Sequence, residues 1–285
     1  MNQEFIWSNT DFPYMCLLDK VRTLAFKEAI EATVKPGDVV IDVGSGSGIM
    51  ALFAAQAGAG KVHAVEIDHS LADALRKTVA SNNLKNVIEV IEDDAITASL
   101  PKNVNVLVAE LVETGLIDEM QIPVINRLVK DGIIGETTKT IPSAYTTFVE
   151  PIYMEPSNYG FNILAPIHDW PFFHDSQKDN WSEIAEIESL AERKEISNLI
   201  LNKENAHGVT ERAIFEITSK KPVTAIRLSG TVWLRDGQPL GPTNTLNSDK
   251  IFHIDTVTHS GQVIIDISYK MGKGVKSLSF SCQST

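Results

Sequence analysis

The sequence predicts an α/β fold in two parts: a parallel sheet wrapped by helices over residues 1–142, then an antiparallel β-barrel or sandwich over residues 143–285. Three observations predict it. Val39, Val40, Ile41 and Val43 form a β-branched run closed by Gly44, Gly46 and Gly48, the mark of a buried parallel strand running into a tight loop. A helix and a second strand, Val62 to Val65, follow and end at Glu66, completing a βαβ unit. Beyond Ile141-Pro142-Ser143 helical periodicity mostly gives way to alternation, as in Ala213, Phe215 and Ile217 or Val263, Ile265, Ile267 and Tyr269. Turn signals at Asp236-Gly237, Ser260-Gly261 and Gly272-Lys273-Gly274 separate these runs.

In chain order, Leu17, Leu18, Val21, Leu24, Ala25, Ala29 and Ile30 keep a helical period from Met15 to about Thr33, and Lys35-Pro36-Gly37 stops it. Arg22 lies in the first half of this helix. After the glycine loop, Met50, Leu52 and Phe53 mark a helix from about Ile49 to Gln56. Ser70 is placed as the N-cap of the next helix, which runs to Asn82-Asn83. Val87 to Ile91 reads as the third strand and Val104 to Ala109 as the fourth. A helix from about Gly115 to Leu128 carries Glu119 in its first turns, and Ile133-Ile134-Gly135 reads as a short strand. In the second half, Trp181 to about Leu201 interrupts the alternation: Ile184, Ile187, Leu190, Ile196 and Leu199 predict a helical arm around 180–202, with Asn180 and Glu183 as a capping box.

Composition narrows the classes. A chain of 285 residues accommodates two domains at roughly 150 residues each. A hydrophobic fraction of 43% with 22% charged residues is that of a globular protein. The formal charge of −12 disfavours nucleic acid as main partner and favours cationic substrates. Cys16 and Cys282, the only cysteines, form neither a metal cluster nor a disulfide framework. No apolar run approaches the ~18 residues of a membrane span, and the N-terminus lacks a leader pattern. The expectation is a cytoplasmic protein without a metal.

The glycine loop indicates the ligand. A dinucleotide fingerprint needs a third glycine three residues after the second, and that position is Ile49. The pattern is instead Asp42-x-Gly44-x-Gly46-x-Gly48, with a carboxylate on the strand before the loop, which suits a cationic ligand without phosphates. S-adenosylmethionine (SAM) is such a ligand. Glu66 can accept both ribose hydroxyls, Asp94 can accept from the adenine amino group, and the Ala95 N–H can meet a ring nitrogen. Ser45 within the loop and Ile67 beside Glu66 belong to the same predicted site. Arg22 is either a solvated surface arginine or a fork for the SAM carboxylate.

Glu110 stands at the carboxyl end of the fourth strand, where the crevice of an open α/β sheet lies. Glu119 follows nine positions later, so both can turn into one crevice and hold a guanidinium from two sides. Glu113 is a third acid in the same stretch and is the alternative contact. His168 and His174 lie beside aspartates in an aromatic loop, where pairing and solvation explain them.

These motifs resemble the protein arginine methyltransferases. Leu17 to Leu24, Val40 to Ala59, the pair Glu110 and Glu119, and Ile-Pro-x-x-Ala at 141–145 carry the likeness, which is continuous over roughly 15–150. The resemblance implies a class I, Rossmann-like SAM-dependent methyltransferase domain followed by a β-barrel. It implies SAM contacts at Arg22, Gly44, Glu66 and Asp94-Ala95, glutamates 110 and 119 as the substrate clamp, and a homodimer joined through a helical arm, for which Trp181 to Leu201 is the candidate. Two features depart from the family. Where it carries a Thr-His-Trp loop that shapes the arginine pocket, residues 243–249 read Thr-Asn-Thr-Leu-Asn-Ser-Asp, and the aromatic and histidine pattern of its most N-terminal helix is missing around Trp7 to Pro13. The acceptor therefore stays open among a protein or small cationic substrate and, as the alternative, RNA.

Overall fold

The computed structural model describes residues 12–174, 186–258 and 261–284. Helices α1 (Phe12–Leu18) and α2 (Lys20–Thr33) lead into a five-stranded parallel sheet. Its strands are β1 (Val39–Val43), β2 (Lys61–Glu66), β3 (Ile88–Glu92), β4 (Val106–Ala109) and β5 (Lys139–Ile141), in the order β3-β2-β1-β4-β5. Helices α3 (Ile49–Gln56), α4 (His69–Ser81) and α5 (Gln121–Lys130) connect them. The order reverses between β1 and β4, which opens a crevice at their carboxyl ends. Val40, Ile41, Leu107 and Val108 are fully buried, as a strand covered on both faces requires.

Four local expectations are corrected. The first helix is two: Asp19 breaks it and caps α2, its Oδ1 accepting from the Arg22 N–H at 3.2 Å. Asp68 rather than Ser70 caps α4, accepting from the Leu71 N–H at 3.0 Å. Glu119 lies on no helix; a 3₁₀ turn at Thr114–Leu116 precedes it and α5 begins at Gln121. The fifth strand is Lys139–Ile141, whereas Ile133 and Ile134 are buried in a turn.

The second half is antiparallel. β6 (Ala144–Met154) pairs with Val223–Arg235, which pairs with Asp249–Thr258, the centre of a seven-stranded sheet. A three-stranded sheet of Gly208–Ile217, Gly261–Lys270 and Ser279–Ser284 packs with it through Phe215, Val263, Ile265 and Tyr269. The expected helical arm is overturned over its described part: Ile187–Ser189 and Lys194–Ile200 are strands, both paired with β6. Residues 181–185 and the capping residues Asn180 and Glu183 lie outside the described residues, as do residues 1–11. Among the described residues no helix is long and apolar enough to cross a membrane.

Candidate functional site

Strand ends gather the predicted residues. In register, Val43 faces Val65 on one side and Ala109 on the other, and Glu66 faces Glu92. The segments that follow these four strands, at Gly44, Ile67, Asp94 and Glu110, therefore share one rim of the sheet.

The glycine loop is shaped by its backbone. Gly44, Gly46 and Gly48 have φ of 69°, 51° and 81°, where a side chain is strained. A Cβ on Gly48 would stand 2.1 Å from Leu75 Cδ1, and one on Gly44 2.6 Å from Leu111 Cδ2. These two glycines let α4 and the segment after β4 close on the loop. At Gly46 the nearest atoms are 3.9 Å away, one of them Pro13 Cβ of α1, so α1 lies over the loop. Ser45 turns inward, donating its hydroxyl to the Asp42 carbonyl at 3.0 Å.

Glu66 is 5% exposed and its oxygens are aimed: the Gly46 N–H donates to Oε2 at 2.7 Å and the Asp68 N–H to Oε1 at 2.9 Å. Each oxygen keeps a further lone pair for a hydroxyl. Burial raises its carboxyl above the usual range. Asp42 is buried with Oδ2 unpartnered among the described residues, and burial pushes its carboxyl up to about 7. Ile67 is exposed. Beyond β3, Asp94 Oδ1 accepts from the Ile96 N–H at 2.8 Å, while the Ala95 N–H has no hydrogen bond among the described residues. Arg127 of α5 fixes this turn, donating to the carbonyls of Ala95 and Ala98 at 3.3 and 2.6 Å.

Arg22 is buried rather than solvated. It forms an ion pair with Glu110 and donates to the Cys16 carbonyl at 3.1 Å, and its Nε has no partner among the described residues. Glu119 is half-buried and makes no hydrogen bond or ion pair among the described residues. Desolvation first, then the charges of Glu110 and Glu113, push its carboxyl up to about 8. An unpaired carboxylate close to a second one is a receptor for a cation.

Sequence reasoning missed the residues that close this crevice from the barrel. Asp19 Oδ2 accepts from Thr243 Oγ1 at 2.6 Å, the Thr245 N–H at 2.9 Å and Thr245 Oγ1 at 3.0 Å. Asn247 Oδ1 accepts from Tyr145 OH at 2.6 Å and Thr114 Oγ1 at 3.1 Å, while the Gly115 N–H donates to Tyr145 OH at 3.0 Å. The 243–249 segment, which departs from the family pattern, is thus what clasps the barrel to α2 and to the acid loop. An aspartate immediately before the apolar-periodic run that starts at Lys20 was the available signal for Asp19.

A family model described as ribosomal protein L11 methyltransferase (PrmA) matches residues 23–155. Protein arginine N-methyltransferase PRMT10 of Arabidopsis thaliana is 34% identical over 165 residues, 57% of this chain and 43% of that protein. Arginine N(omega)-methyltransferase of Streptomyces achromogenes subsp. streptozoticus is 33% identical over 135 residues, 46% of this chain and 37% of that one. The matches thus take in about two fifths of these two relatives. The Trypanosoma brucei PRMT1 enzyme-prozyme heterotetrameric complex with AdoHcy has the same two-part fold, with a TM-score of 0.72 at 17% identity over 97% of this chain and 98% of that chain. The chain is a SAM-dependent methyltransferase resembling the protein arginine methyltransferases.

Proposed function

We propose that this chain methylates a nitrogen of a guanidinium or a similar cationic amine gripped by Glu110 and Glu119. The observation that carries the reading is Glu119: a half-buried carboxylate beside Glu110, without a hydrogen-bond or ion-pair partner among the described residues while Glu110 and Glu113 have theirs. Two named relatives support it, because a protein arginine methyltransferase and an arginine methyltransferase share a guanidinium acceptor by name. The departure at 243–249 bears on what surrounds that group: the segment has neither histidine nor tryptophan, and its Thr243 and Thr245 donate to Asp19.

SAM would be held by Glu66 at the ribose, by Asp94 and the Ala95 N–H at the adenine, by Arg22 at the carboxylate, and by the loop from Asp42 through Gly48. When bound, it supplies a methyl group already activated on a sulfonium. The chain's own residues do the rest. Glu110 and Glu119 align the acceptor nitrogen, and their charge counters the positive charge it gains. Helix α1 over Gly46 excludes water. The change from parallel pairing by β5 to antiparallel pairing by β6 supports a division at 142/143.

The reading includes a cytoplasmic homodimer. Tyr14, Leu18, Val21 and Leu24 leave an apolar stripe exposed on α1 and α2, and Tyr159, Phe161, Ile163 and Leu164 leave another on the hairpin at 157–164. A second copy that covers one stripe with the other would bury both. Phe161→Asp should then shift the mass measured by light scattering from two chains to one, and a monomeric wild type would contradict it. The activity is tested by labelled methyl transfer from SAM to free arginine, an arginine-glycine peptide and fractionated RNA. Label in arginine or peptide supports the clamp, and label confined to RNA overturns it.

A further inference from the structure

Lys250 sits on strand Asp249–Thr258, opposite Leu228 on one side and His168 on the other, and its side chain is 1% exposed. An ammonium that deep requires partners. It has three, all on the loop between β4 and α5: an ion pair with Glu113, Asp118 Oδ2 at 2.7 Å and the Thr114 carbonyl at 3.1 Å. The loop is braced further by the Asp118 N–H donating to Glu113 Oε1 at 2.8 Å and by Asp118 Oδ1 accepting from the Val275 N–H at 3.0 Å. The next residue along is Glu119.

The loop carries four carboxylates, and its cations are divided among them. Arg22 pairs with Glu110, and Lys250 pairs with Glu113 and Asp118, so that among the described residues Glu119 is the one of the four without an ion pair. We propose that Lys250 is a positioning residue for the acceptor: reaching across from the barrel, it fixes the 113–118 turn and neutralises its two acids, so that Glu119 with Glu110 receives the incoming cation. The inference rests on the clamp reading above. Without Lys250, Glu113 and Asp118 would compete for that cation and set their charges against Glu119.

The charged and titratable groups facing Glu119 are Glu110 and Glu113 from its own loop, Arg22 from α2, Cys16 from α1 and Lys250 from the barrel. His168 faces Lys250 and Asp118. Removing Lys250 and removing the Glu113 charge therefore act on Glu119 in opposite directions, and this opposition is the test. In protein carrying ¹³C-carboxyl glutamate, the Glu119 resonance is the one lost in Glu119→Gln, and its titration needs no acceptor. Relative to wild type, Lys250→Met should titrate upward by about one pH unit and Glu113→Gln downward, with the SAM dissociation constant within about threefold in both. With an arginine-glycine peptide, Lys250→Met should raise KM by about tenfold or more with a smaller change in kcat, and Lys250→Arg should recover part of it. Identical Glu119 titrations in all three proteins would overturn the role of Lys250. A wild type that transfers no methyl to the peptide would overturn the clamp instead, and the titration would still decide whether Lys250 sets the charge of Glu119.

Discussion

Replacing Glu119 with glutamine removes one charge, keeps the shape, and tests the acceptor clamp where the structure leaves it unpaired. A hydrogen bond to a charged group contributes about 1.5–3 kcal/mol, and a guanidinium facing two carboxylates makes about two such bonds with each. Losing one side while the cation stays desolvated costs about 3–5 kcal/mol, which lowers kcat/KM by roughly 10²–10⁴-fold. The pH dependence follows from the same group. Its carboxyl is pushed up to about 8 by desolvation and by Glu110 and Glu113. In the free enzyme at pH 7 about a tenth of it is therefore ionised, one unit below that value. Because kcat/KM reports groups of the free enzyme, it should climb about tenfold per pH unit from 6 towards 8 and then level off. Stability runs the other way: the folded protein binds this proton more tightly than the unfolded chain, so the contribution of Glu119 is fully present below its ordinary value of 4.5 and is lost as pH rises through about 8. Glu119→Gln should abolish the rise in the first profile and remove from the second the part of the slope near pH 8, leaving the part that the buried Asp42 contributes around pH 7. Initial rates with an arginine-glycine peptide between pH 6 and 9.5 read the first, and melting temperatures in the same buffers the second. A wild-type rate independent of pH, or a variant within threefold of it, would rule out Glu119 as one side of the clamp.

Glu66→Ala should weaken SAM by about 3 kcal/mol or more, a hundredfold or greater rise in the dissociation constant by calorimetry, since two charge-assisted bonds to the ribose are lost; an unchanged constant would count against the site. Asp19→Ala removes the α2 cap and leaves Thr243 and Thr245 donors without an acceptor, for a loss of about 2–3 kcal/mol in urea unfolding. A change below about 0.5 kcal/mol would mean the clasp adds nothing beyond solvent exposure.

What could be read from the residues, and what could not, follows from how local each signal is. β1 and β4 declare themselves because strands buried on both faces are near-continuous β-branched or apolar runs, and β2 does so through Val62, Ala64 and Val65 after the glycine-terminated helix. β5 does not, because Lys139-Thr140-Ile141 is a short edge strand with a lysine, while the more apolar Ile133 and Ile134 are buried in a turn without pairing. The arm misleads for a specific reason. Ile196 and Leu199 are both buried yet three apart, since the strand bulges between Glu195 and Ser197 and so imitates helical spacing. The positions of the glycine loop, Glu66 and Glu110 at strand ends were legible because each stands at or just past the last residue of an apolar strand, whereas Glu119 was expected on a helix that begins only at Gln121. Lys250 was not, because its partners are more than 130 residues away in sequence. One trace of it exists: it shares strand parity with Phe252 and Ile254, which pack in the core, and a lysine in that series needs a buried acid.

In the proposed site the rim formed by Gly44 to Gly48, Glu66 and Asp94-Ala95 would hold SAM. Calorimetric titration of the wild-type chain with SAM and with its demethylated product measures this directly. Binding of both, at ~100 μM or tighter and not displaced by a nicotinamide dinucleotide, is the predicted result. Absence of heat with either, in protein that melts cooperatively, would contradict the account.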